Sequence, residues 1–169
     1  GNSIKRNRNI IINIQEEIAV FLTHLFSSAL PHDVADEARR QLRIAHEYES
    51  VSDCIDKLNR LIQRLRERDF DFSTDLEQAM RDVSNGTQSV LVQINTALQQ
   101  RDEHAIASII AINDRVHSQI RQLRREYLES IANEGTAPAV NAIVLSVLAV
   151  HASILNHFEN IVESLSGDA

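Results

Sequence analysis

The chain has little of what several fold classes need. It has one cysteine, Cys54, so no internal disulfide can form. A lone cysteine suits a reducing compartment. Four glycines and two prolines in 169 residues leave too little turn chemistry for an all-β fold. Positive charge is also short. The net charge is −7, which argues against a nucleic-acid binder, since that activity needs a basic face. No signal-peptide pattern is visible. The most apolar stretch, 139–155, is broken by Asn141, Ser146, His151 and Ser153. It falls short of the roughly 20 mostly apolar residues of a membrane span and reads as a core helix.

What is present is apolar residue at helical spacing. Hydrophobic residues make up 43% of the chain, enough to bury a core. The expected fold class is all-α: a single domain over 1–169, built as an up-and-down antiparallel bundle of five helices. The spacing predicts helices over 9–28, 34–68, 74–100, 103–133 and 138–165. In the first, Ile11, Ile14, Ile18, Phe21, Leu22 and Leu25 recur three and four apart. Ala29-Leu30-Pro31-His32 ends it, because the residue before proline avoids the helical region.

The second helix has Asp33 as its cap candidate and a stripe of Ile44, Tyr48, Val51, Ile55, Leu58, Ile62 and Leu65. Thr74-Asp75-Leu76-Glu77 reads as a capping box for the third. That helix is expected to run through Asn85-Gly86, accepting about 1 kcal/mol for the glycine. Asp102 should cap the fourth helix. Gly135 is the region where it ends, and Thr136 with Pro138 opens the fifth. Short connections make successive helices antiparallel.

Candidate chemistry centres on Glu49 and Asp53, four apart and so neighbours on one helical face. His46 and Asp56 extend that stripe. At about 100° per residue it points away from Val51, Ile55 and Leu58. Two readings stand: a solvated acidic face, or half a site for a hard or borderline cation completed by another helix or subunit. An inward di-iron core would need Glu-x-x-His on two helices. That pattern is absent, and Asp114-Arg115-Val116-His117 is the nearest approach.

His151 sits in the middle of the fifth apolar stripe, as a neutral core histidine would. Asn113 falls inside the fourth, and a His151–Asn113 contact would satisfy both groups. Cys54 stands beside Asp53, which raises a thiol pKa. Neither a Ser/His/Asp arrangement nor a glycine-rich phosphate loop can be picked out. Arg121, Arg124 and Arg125 read as an exposed face carrying ion pairs. Lys5, Arg6 and Arg8 form a basic cluster that would suit a cytoplasmic membrane boundary.

Tyr48-Glu49-Ser50-Val51-Ser52-Asp53, followed by Ile55 and Leu58, resembles the PhoU family around its Glu-x-x-x-Asp signature. His157-Phe158-Glu159-Asn160-Ile161-Val162-Glu163 is similar to the tail of a second copy of that signature. The start of the third helix and the Gln99-Gln100-Arg101-Asp102 turn resemble the join before the family's second helix. Aligning Asp53 with Asn156 pairs Ser50 with Ser153 and Val51 with Ile154.

The resemblance covers nearly the whole chain and implies tandem three-helix repeats. The first two helices would be the last two of one repeat, and the remaining three a whole second repeat. The family's acidic signatures are linked to metal clusters. Here Ala152 and Asn156 stand in the second signature, and Asn113 and His117 stand in the fourth helix. No acidic pair precedes Glu16.

The resemblance therefore supports fold and regulatory role better than metal binding. It is greatest to the cytosolic C-terminal PhoU-like region of sodium/phosphate cotransporter-family proteins. It implies a regulatory or interaction domain of a phosphate transport system, with no enzymatic step. The segment itself would be soluble, on the cytoplasmic side of the membrane. The expected partners are the transmembrane part of its own transporter, another phosphate-transport component, or further copies of itself, and not nucleic acid. On that reading the chain is a fragment of a longer membrane protein and Gly1 an expression scar. The alternatives are a helical bundle binding iron, zinc or nickel at Glu49 and Asp53, and a helical sensor or structural module of a membrane receptor.

Overall fold

The computed structural model describes residues 2–26, 32–68, 72–100, 102–134 and 137–166. They form five helices: α1 (Asn2–Phe26), α2 (His32–Arg66), α3 (Thr74–Gln100), α4 (Ile106–Glu134) and α5 (Pro138–Ser166). A 3-10 turn, Glu103–Ala105, leads into α4. Among the described residues there is no strand. The all-α bundle expected from spacing is the fold observed.

Helix ends follow from local chemistry, with some shifts from expectation. α1 starts at Asn2, well before residue 9. Its predicted end at 27–28, and the 29–31 breaker, lie outside the described residues. α2 begins at His32, so Asp33 lies in the first turn and is not the cap. A carboxylate there still meets the positive end of the helix dipole. α2 stops at Arg66 and closes in a turn, with Arg68 N–H donating to Leu65 C=O at 3.1 Å.

The cap of α3 is Ser73. Its Oγ accepts from Leu76 N–H at 3.3 Å and its C=O from Glu77 N–H at 3.0 Å. The cap therefore lies one residue before Thr74, and with Leu76 at N3 the expected capping box does not form. Glu77 turns outward and pairs with Arg81 at 2.7 Å. Asp102 acts as a cap, its Oδ1 accepting from His104 N–H at 3.0 Å. Pro138 opens α5 at a position where no N–H is needed. Gly135 and Thr136 lie outside the described residues.

α5 has the highest mean hydropathy of the five helices and the most buried residues among those described, and its wide apolar face belongs in the interior. By length and composition alone it could cross a membrane. In the bundle it is enclosed instead, with Leu148, Leu155, Phe158 and Ile161 at 0–1% exposure. α2, α3 and α4 all pack on it, and α3 also packs on α4. α1 lies on α2 and on no other helix to a comparable extent.

Gly86 keeps α3 and α4 close. A Cβ built there would lie 2.7 Å from a methyl of Val116. The helix does run through it, as the stripe implied.

Two expectations about α2 change. Asp56 is buried, at 7% exposure, and its carboxylate is held by Arg60. The helical spacing puts it on the outward stripe. Both α5 and α1 pack on α2. Ile55 and Ile62, read as core, are each 38% exposed. Both lie seven residues apart on the line from Tyr48, which faces α3. α2 and α3 lean on α5 and barely touch each other. A hydrogen bond from Tyr48 Oη to Asn95 Oδ1 at 2.5 Å spans them.

Candidate functional site

Because α2 and α3 diverge, a cleft of about 490 Å³ opens between them. Leu58, Ile62 and Leu65 of α2 form one wall, spaced by four and three residues. Leu76 and Met80 of α3 form the other, and Phe72 closes the end. Val144, Val147 and His151 of α5 make the floor. The rim is polar: Arg66, Ser84 and the Glu77–Arg81 pair. Ile62 is exposed because it meets this space and not another helix. The size falls within the range of small-molecule sites, roughly 300–1,000 Å³.

His151 is 5% exposed. Its Nδ1 lies 3.1 Å from Thr87 Oγ1 of α3. Burial pushes its pKa below the usual value, because desolvation disfavours the charged ring. The neutral core histidine read from the sequence is therefore present. Its expected partner is not. Thr87 of α3 takes the place given to Asn113. Asn113 is 5% exposed, and its Oδ1 has no hydrogen bond among the described residues.

The acidic stripe splits along its length. His46 Nδ1 lies 3.5 Å from Glu49 Oε2, and the Glu49 side chain is 25% exposed. Asp53 is exposed, and Asp56 is turned in. Among the described residues no group of three or more His, Cys, Asp or Glu side chains is arranged to hold a metal ion. Glu49 and Asp53 thus remain a pair on one helix face. Burial raises the Cys54 thiol pKa; Lys57 opposes that shift and Asp53 adds to it.

Other titratable groups were less legible. Glu47 Oε2 meets His157 Nδ1 at 2.7 Å, joining α2 to α5 with the two side chains 13% and 29% exposed. In the sequence His157 belongs to a tail motif, and Glu47 carries no signal. His117 has its pKa lowered, first by burial and then by Arg121, against the pull of Glu159 and Asp114. Arg121, Arg124 and Arg125 are exposed as expected. The ion pairs expected of them are not found among the described residues. Arg121 donates to Ser118 Oγ at 2.9 Å instead.

Compared with family models, curated proteins and solved structures, the chain matches none.

Proposed function

We propose that the chain is a regulatory or interaction domain of a phosphate transport system, the cytosolic part of a sodium/phosphate cotransporter-family protein. It acts by contact, with no chemical step. The observation that carries the contact mechanism is the two-sidedness of α1. Ile11 and Ile18 are half-buried on the bundle side. Ile10, Ile14 and Phe21, spaced by four and seven, remain 45%, 51% and 64% exposed. Val20 is 59% exposed beside them. A helix with a second apolar face is built for a partner.

The resemblance of residues 48–53 and 157–163 to the PhoU signature supplies the transport context. The partner is the transmembrane part of the transporter. A contact on α1 reaches the centre of the bundle through α2, which packs on α5 and is tied to it by Glu47 and His157.

The test is co-expression of the chain with the membrane part of a sodium/phosphate cotransporter. Capture and phosphate uptake are measured for the native chain and for Phe21→Glu. Capture by the native chain, lost in the variant, is expected. Failure of the native chain to contact any transporter segment would sink the proposal.

A further inference from the structure

We propose that the cleft between α2 and α3 binds a small, mostly apolar molecule carrying one hydrogen-bond donor, offered to Nε2 of His151. This does not depend on the transport role.

The proton of the Thr87 hydroxyl decides it. Thr87 Oγ1 donates to the Val83 C=O at 2.8 Å. A hydroxyl has one proton, so Thr87 has none left for His151. With that proton on the Val83 C=O, the imidazole is the donor at the 3.1 Å contact, through Nδ1–H. A neutral ring with its proton on Nδ1 has a bare lone pair on Nε2. That nitrogen has no partner among the described residues. Among the described residues the fully buried side-chain polar atom left without a partner is Asn113 Oδ1, so Nε2 is not sealed in. His151 lines the cleft floor, and Nε2 is taken to face that space.

The site is thus an apolar cleft of about 490 Å³ with one acceptor at its base. Leu58, Leu65, Met80 and Val147 favour an aliphatic or aromatic body. A carboxylate at the floor would face a lone pair across an apolar wall, and no charge there would offset its desolvation. An alcohol, phenol or indole matches both demands.

The probes are 4-hexylphenol and its methyl ether, which differ by the single donor. Titration calorimetry on the whole chain should show saturable one-to-one binding of the phenol. The ether should bind about tenfold more weakly, the ratio set by about 1.4 kcal/mol. Ser84→Trp, placed at the rim to fill the cleft, should abolish both. His151→Phe should make the two probes equal. The ring nitrogens of His151, followed by ¹⁵N NMR in the native chain, should report a proton on Nδ1 and a shift at Nε2 on adding the phenol. That measurement stands even where His151→Phe does not fold. No saturable binding, equal affinity of phenol and ether, native affinity in Ser84→Trp, or an unmoved Nε2 resonance would each overturn the proposal.

Discussion

Replacing Gly86 by alanine sets local propensity directly against tertiary packing. Position 86 is inside a 27-residue helix. On propensity alone the substitution should stabilise by about 1 kcal/mol. The new Cβ, however, would stand 2.7 Å from Val116 Cγ2, 3.3 Å from Cγ1 and 3.7 Å from Cβ. Val116 is 2% exposed and β-branched, so its χ1 has little freedom. Only one rotation would turn its hydrogen toward position 86, and a helical valine is held about 90% in one χ1 rotamer. The helices must move apart, and overpacking of this kind costs about 1–3 kcal/mol.

The net expectation is a loss of about 1 kcal/mol, which lowers the midpoint by roughly 2–4 °C in a chain of this size. Urea and thermal unfolding followed by circular dichroism would measure it. Val116→Ala removes both methyls and should cost about 1.6 kcal/mol before any cavity contribution. The double variant should then be more stable than the sum of the singles, with a coupling of about 1–2 kcal/mol. A Gly86→Ala chain that melts at or above the native one refutes the close-approach reasoning. So does strict additivity in the double variant.

Other substitutions probe the polar groups. Asn113→Leu removes a buried carbonyl oxygen that has no partner, so it should be neutral or stabilise by about 1 kcal/mol; clear destabilisation in urea would count against the orphaned atom. His151 and His117 both have pKa values lowered from 6.5. The unfolded chain therefore binds more protons than the native one below about pH 6.5, and stability should fall as pH drops from there through the native values. His151→Gln should flatten that slope, and an unchanged slope in the variant removes His151 as a cause. Glu47→Gln should cost about 1–2 kcal/mol, since it weakens a half-buried charge-assisted bond between α2 and α5. If Glu49 and Asp53 hold a metal, protein made with iron, zinc and nickel in the medium should carry one by mass spectrometry. Glu49→Ala with Asp53→Ala should then lose it, while metal-free native protein would end that reading.

Much of the fold was legible because helices rest on local periodicity. The stripe Leu76, Met80, Val83, Val90, Ile94 and Leu98 is enough to carry α3 through Gly86, and the structure agrees. The apolar run in 139–155 reads as a core helix for the same reason. Errors gathered at helix ends, where a one-residue choice between Ser73 and Thr74 depends on which side chain reaches an N–H. They gathered also where two helices share a neighbour. Asp56 could not be read as buried from α2 alone, because burial depends on how other helices pack on it. The His151–Asn113 pairing failed because it assumed which helix faces α5 at that level, and α3 supplies Thr87 there instead.

By itself, then, the sequence determined five amphipathic helices, their order, and the placement of a neutral histidine in the most apolar of them. Those features depend on contacts within a few residues along the chain. The tertiary structure decided everything that depends on which helices meet: the narrow crossing at Gly86, the burial of Asp56, the Glu47–His157 tie and the partner of His151. It also decided that α2 and α3 lean on α5 and not on each other, which opens the cleft. A helical period fixes the direction of a side chain about its own axis, but the distance between two axes is set only when side chains from both pack together.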